Sequence, residues 1–242
     1  MATSSRRAVV GFAAVTTVIV AVLVGLGLWQ LDRKREKREL IAALTERLAA
    51  APVPLPPVAD WGRLTPEHDE FRLVTFQAVR DGRPHAAVFT SGSALRPDVN
   101  GIGTWDFAPV RTGSGQTVVV NFGFVPEGQS AASAAEPAPL TLTGYLRFPE
   151  TASWFTPDPD PTRRIWYARE PAVMAKALGW GEAAPFYIDL AQPAGSAPWP
   201  KAGALDVHLR DQHLQYAITW FLLAVAVMVA FGVWVAGQRG KR

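Results

Sequence analysis

Two stretches without a formal charge, Ala8 to Leu31 and Ala217 to Ala236, lie near opposite ends of the chain and constrain its fold more than any other feature. At about 1.5 Å rise per residue, each is long enough as a helix to cross roughly 30 Å of hydrocarbon. A secretory signal would have a shorter apolar core and a small-residue cleavage site before soluble sequence. Here Trp29 and Gln30 close the first stretch and a charged segment follows at once, so an uncleaved anchor is expected. Nothing in the first residues has the character of a transit peptide, which favours a bacterial protein. Two spans put both termini on one side of a membrane and the intervening residues on the other.

His213 stands four residues before the second stretch, about 6 Å outside it. At about 100° per residue, one stripe of that helix collects His213, Tyr216, Ala217, Trp220, Ala224, Val227, Phe231 and Trp234. A histidine at the top of a groove of aromatic and small residues suits ligation of a flat, apolar, iron-bearing group. The stripe also has a plainer reading, in which Tyr and Trp form an interfacial belt and Ala allows close helix packing.

Between the spans, Asp32 to Glu39 holds five basic and three acidic residues. Leu40, Ile41, Leu44 and Leu48 then recur at helical spacing, so the first helix should run on to about Leu48. The charged cluster reads as a solvated helix face touching anionic headgroups. Charge leaves the orientation undecided, because Arg6, Arg7, Arg239, Lys241 and Arg242 outside the spans are opposed by the net positive cluster just after the first.

The proline-rich Ala51 to Pro57 should be an extended linker. Beyond it, Phe71–Val79, Ala86–Thr90, Thr104–Arg111, Thr117–Phe122 and Leu140–Phe148 are short runs rich in β-branched or aromatic residues. Asp81-Gly82, Gly101-Ile-Gly103, Thr112-Gly-Ser-Gly115 and Pro126-Glu-Gly128 separate them as turn signals. A helix is expected from Pro171 to Leu178 with Gly179 just past its end, and a last strand over Phe186–Leu190. A Pro/Gly/Ala-rich connection, Gln192 to Gly203, leads to the closing helix. The expected organisation is a membrane protein with two transmembrane helices, 8–31 and 213–236, and a helical extension over 32–50. Residues 51–212 form an α+β domain dominated by an antiparallel sheet or small barrel.

Composition closes several routes to function. The chain has no cysteine, which excludes disulfides, thiolate zinc sites, thioether-attached haem and a cysteine copper relay. A net charge of +3 with no basic face excludes nucleic acid as partner. Thr112–Thr117 has glycines like a phosphate loop but no lysine, and bridges two strands as a hairpin turn. His68, His85 and His208 follow no metal-ligand spacing, and the Asp158/Asp160 pair sits in a proline-studded loop. Ser91 or Ser93 near His85 makes no nucleophile motif, so a membrane-anchored hydrolase has little support and the chain is not expected to be an enzyme.

The segments taken together resemble a known family, surfeit locus protein 1, the assembly factors of haem–copper cytochrome c oxidase. The likeness runs over nearly the whole chain: Gly27-Leu-Trp-Gln-Leu-Asp-Arg33, Val118-Val-Val-Asn121, Phe124-Val-Pro126, Gly144-Tyr-Leu-Arg147, Trp154-Phe-Thr-Pro157, Ile165-Trp-Tyr167, Pro185-Phe-Tyr187, His213-Leu-Gln-Tyr-Ala217 and Thr219-Trp-Phe221. It departs at Phe122, where the family usually has a basic residue within an Asn-Arg-Gly turn, and at Asp211-Gln212, where two asparagines are common. The resemblance implies a bacterial inner-membrane protein with both termini cytoplasmic and the central domain periplasmic. It implies maturation of the oxidase catalytic subunit, with haem a as cofactor and His213 as the residue linked to that haem. Tyr216, Trp220, Trp29 and Gln30 would line the same pocket; helix packing is the alternative role for Trp29 and Gln30. The partners implied are the catalytic subunit, the haem a synthesis machinery and membrane lipid. A scaffold that stabilises the subunit without a cofactor is the competing expectation.

Overall fold

The computed structural model describes residues 2–80, 82–131, 139–206 and 212–239. Asp81, His208, Asp211, Lys241 and Arg242, used in the sequence readings, lie outside them. In chain order the elements are α1 (Ala2–Ala49), β1 (Val53–Pro54), a 3-10 turn (Val58–Arg63), α2 (Pro66–Asp69), β2 (Leu73–Arg80), β3 (Ala86–Gly92) and β4 (Asn100–Thr112). Then come β5 (Thr117–Pro126), β6 (Pro139–Arg147), β7 (Ile165–Trp166), α3 (Pro171–Leu178), β8 (Ala183–Leu190) and α4 (His213–Arg239). They form two compact units, Met1–Ala42 with Leu209–Arg242, and Ala43–His208.

The first unit is built from α1 and α4. Both are long and apolar enough to cross a membrane, and only 6% of the most apolar window of each is buried. The core helix of a water-soluble domain would be mostly covered. Apolar surface on this scale calls for a lipid surround.

The second unit is a closed barrel. The sheet order is β1-β2-β6-β8-β5-β4-β3-β7, and β2 also pairs with β4, so β2, β6, β8, β5 and β4 close a five-stranded ring. β4 makes closure possible by its length. Its last residues return to β2 (Ala78↔Thr112, Arg80↔Val110) while its first residues pair with β3 outside the ring. Irregularities against β5 between Trp105 and Phe107 add the bend that closure needs. Within the ring every pairing is antiparallel except β5 with β8, which is parallel. Strand β8 returns in the direction of β5 only after β6, β7 and α3, the long connection that parallel neighbours require.

Strand β5 is buried at every position but its last, with no in-out alternation. The reason is that both its faces are covered. Val118, Val120 and Phe122 join Val74, Val110, Leu142, Leu146, Phe186 and Ile188 in one core. Val119 and Phe124 join Trp105, Phe107, Trp166, Met174, Trp180 and Tyr187 in a second, to which α3 contributes. Helix α3 starts on Pro171 and ends at Gly179, whose φ of 68° and bond to the Ala175 carbonyl form a left-handed cap.

One local expectation is corrected. Gly101-Ile-Gly103 is not a turn but part of β4, because Gly103 lies flush against the Val125 carbonyl of β5, where a Cβ has no room. Asn121 and Phe122 lie in β5, as the expected strand Thr117–Phe122 has them, and the strand runs on through Gly123 to Pro126, with Phe122 2% exposed. Thr112–Gln116 does form the hairpin turn, with the Gly115 N–H donating to the Thr112 carbonyl.

One polar cluster ties the ring together. Arg147 donates to Glu70 at 2.6 Å and to Asp189 at 2.9 Å. Glu70 also accepts the Phe148 N–H, Asp189 accepts Asn121 Nδ2, and Asn121 Oδ1 accepts the Gly123 N–H. The guanidinium lies 4.4 Å over the Phe71 ring, a residue held at φ 66°. Burial, and then the Asp189 charge, push the Tyr187 phenol well above its ordinary pKa, so it stays neutral at any physiological pH.

Residues Lys201 to Asp206 strap across the same end. Lys201 exchanges backbone bonds with Phe124, the Asp206 N–H donates to Leu95, and Arg96, forked on Asp98, reaches the Lys201 and Gly203 carbonyls. Gly123, at φ 131°, leaves no space between β5 and the Lys201 backbone for a Cβ.

Two outcomes follow for full-length protein in detergent. Arg147→Ala leaves the buried Asp189 and the partly buried Glu70 without their cation and should cost about 3–5 kcal/mol in denaturant unfolding. Gly123→Ala combines a strained φ with a backbone clash and should cost about 2 kcal/mol or more. A wild-type midpoint in either variant would contradict this account.

Candidate functional site

The first unit brings a histidine and a glutamine together across the helix pair. His213, the first residue of α4, has its Nδ1 2.8 Å from Oε1 of Gln30 on α1, with the contact partly buried. The two residues are 183 positions apart in sequence. Further along the pair, Phe12 of α1 stacks on Phe231 at 5.9 Å and meets Trp234 at a tilt, with centroids 4.8 Å apart. Low numbers of α1 therefore meet high numbers of α4, and the helices run antiparallel.

Small residues set how closely they approach. Ala217 and Ala224 are 1% and 2% exposed, and Thr16 on α1 is buried with its hydroxyl turned back to the Phe12 carbonyl. Gly27 has no room for a Cβ, because the Phe221 ring occupies that space. In hydrocarbon, where helix association depends on dispersion and fit, such a seam is what holds two helices together.

The stripe found in the sequence is thus mostly a packed seam rather than an open groove. His213, Ala217, Trp220, Ala224, Val227, Phe231 and Trp234 are all at least partly covered. Tyr216 leaves the stripe and is 53% exposed. The close approach at Gly27 and Ala217 narrows the seam, so a side chain on its flank falls outside. Trp29, next to Gln30, is 50% exposed, with the Arg33 guanidinium 5.7 Å over its ring. Of the five residues expected at a cofactor site, then, His213 and Gln30 touch, Trp220 is half-buried, and Trp29 and Tyr216 present flat aromatic surfaces outward.

An imidazole held through one ring nitrogen is the usual state of a metal-ligating histidine. With exposed aromatic surface on neighbouring residues, the imidazole would suit a flat, apolar group whose metal takes a nitrogen ligand. Sequence reasoning missed the glycine contact at position 27. Its signal was present, since Gly27 lies one turn before Gln30 on the same face.

The barrel unit carries a different cluster. His85 Nδ1 lies 2.9 and 3.0 Å from the two carboxylate oxygens of Asp106, and its ring stacks on Phe122 at 6.3 Å. His85 and Asp106 border an open cleft of about 470 Å3 with Arg83, Arg163 and Arg164. A histidine that follows no ligand spacing in the sequence is therefore paired with a carboxylate in the fold. Among the described residues no group of three or more His, Asp or Glu side chains is placed to hold a metal ion.

The sequence matches the SURF1 family over residues 17–225. It is 32% identical to the SURF1-like protein of Monosiga brevicollis, covering 93% of this chain and 87% of that one. It is 30% identical to surfeit locus protein 1 of Homo sapiens, over 84% of this chain and 70% of the human one. It is also 32% identical to the SURF1-like protein of Drosophila melanogaster, over 86% and 72%.

Gly27→Leu should force the helices apart beside the His213–Gln30 pair at a cost of about 1–3 kcal/mol. Because the chain has no native cysteine, cysteines placed at positions 30 and 213 report the approach directly. Their oxidative cross-linking should be slower when Gly27→Leu is added; equal rates would refute the close-packed seam.

Proposed function

The chain belongs to the SURF1 family, a family of cytochrome c oxidase assembly factors, and on that premise we propose that it binds haem a and assists its insertion into the oxidase catalytic subunit. The observation that carries the cofactor part is the imidazole of His213, held by Gln30 at the end of an apolar helix pair. His213 would be the iron ligand. Trp29, Tyr216 and Trp220 would cover the macrocycle, with the exposed rings of Trp29 and Tyr216 supplying apolar surface that water otherwise wets. Haem, when bound, would supply an iron that takes an imidazole nitrogen and a large apolar face. The protein's own work is to keep the ligand oriented, to shelter the apolar face, and to give both up to an acceptor. That is the work of a chaperone, with no bond made or broken in a substrate.

The same reading puts the barrel in the periplasm of a bacterial inner membrane, with both termini in the cytoplasm. The catalytic subunit would be the acceptor, the haem a synthesis machinery the donor, and lipid the medium in which they meet. Antiparallel packing of α1 and α4 supports termini on one side.

A cofactor-free scaffold has its own supporting observation in the barrel unit. Trp154 and Phe155 are 86% and 73% exposed and lie 3.6 Å apart. They stand at the centre of a turn pinned by Ser153 and Thr156, whose hydroxyls and backbone bond to each other. Two neighbouring aromatic rings exposed to water suit contact with another protein.

The measurement that separates the readings is an optical spectrum of protein purified from membranes that also make haem a, beside His213→Ala. Wild type should carry haem a, and the variant should lose it or shift its bands. Haem-free wild type would leave the scaffold. Haem unchanged by the substitution would keep the carrier and remove His213 as ligand.

A further inference from the structure

Gln30 is neutral, and the atom it presents to His213 is a carbonyl oxygen, which can only accept a hydrogen bond. A neutral imidazole has one N–H. With an acceptor 2.8 Å from Nδ1, the proton is held at Nδ1 and the lone pair is assigned to Nε2. In water a free histidine favours the opposite tautomer, with the proton on Nε2, so the glutamine imposes a choice that the ring would not make by itself. Gln30 is well placed to impose it. It is partly buried on a helix whose next turn inward, at Gly27, is locked against Phe221. The close approach at Gly27 holds the two helices where the amide and the ring meet.

We infer that Gln30 is the positioning residue of the site: it locks His213 in the Nδ1–H tautomer and makes Nε2 the ligand atom. This rests on the haem-carrier reading for its purpose, but the tautomer belongs to the protein with or without haem. A neutral amide withdraws the Nδ1 proton less than a carboxylate would, so the imidazole remains a moderate donor to iron. That grade of ligand suits a cofactor that must be held and then released. A carboxylate at the same place would give the ring imidazolate character, bind oxidised iron more tightly and lower its reduction potential.

The test has one arm without haem and one with it. Full-length protein labelled with 15N at histidine, near pH 8 where free imidazoles are neutral, reports the tautomer of each ring by its nitrogen shifts. The four histidines are few enough for His213 to be assigned by its own substitution. Wild-type His213 should show a protonated Nδ1 and an unprotonated Nε2. Gln30→Leu should shift the ring towards the Nε2–H form, and Gln30→Glu, which keeps an acceptor, should restore Nδ1–H. Circular dichroism on each variant checks that the helices persist. A wild-type ring protonated on Nε2, or a Gln30→Leu ring still protonated on Nδ1, overturns the inference.

In the haem arm, protein from membranes that make haem a should lose affinity about 10- to 100-fold on Gln30→Leu, the range expected when the partner of a ligating histidine is removed. Gln30→Glu should keep its haem and move the potential to more negative values. Wild type that carries no haem sinks the carrier reading and leaves the nitrogen-shift result standing. Haem bound with the wild-type potential and affinity in both variants sinks the positioning role alone.

Discussion

A helix in hydrocarbon must satisfy its backbone within itself, and that requirement governs where polar chemistry sits in this chain. The inner turns of α1 and α4 have only shape with which to recognise each other: Gly27 against Phe221, Ala217 and Ala224 in the seam, Phe12 against Phe231 and Trp234. Polar side chains come in at the end of the pair, where one N–H and one carbonyl oxygen meet as Gln30 and His213. The hydrogen bond depends on the seam, because only a pair of helices packed without a Cβ at position 27 brings the two together.

The barrel answers the same problem by other means. Closing five strands into a ring leaves no open edge among them, and it buries β5 on both faces. Closure concentrates strain and polar groups at one end, where Phe71 takes a positive φ and Arg147 bridges Glu70 and Asp189. A buried arginine is tolerated there because both carboxylates and an aromatic face meet it. The Lys201–Asp206 strap lies over this end, held by Arg96, whose pairing with Asp98 holds that carboxyl well below its usual range. The contact with Asp98 is thus present above the ordinary carboxylate pKa and persists into acid, to be lost only as pH falls through the lowered value.

Periodicity and local chemistry made much of this legible in advance. Two uncharged stretches announce two spans because length and apolarity alone decide whether a helix can cross a bilayer. Pro171 and Gly179 bracket α3 because their backbone preferences act locally. Strands β2 to β6 and β8 follow from β-branched and aromatic runs. The errors lie where a glycine has two meanings: Gly101 and Gly103 look like a turn in isolation, and only the approach of Val125 gives Gly103 its place in a strand.

Sequence alone determined the spans, most of the strand segments, the short helix and the singling out of His213 at a helix end. Each of these rests on residues within a few positions of one another. Tertiary structure decided the closure of β2 on β4, the parallel run of β5 beside β8, the exclusion of Tyr216 from the seam and the pairing of His213 with Gln30. Those depend on residues far apart in the chain, and no periodicity within one segment specifies which distant segment it will meet, or how closely.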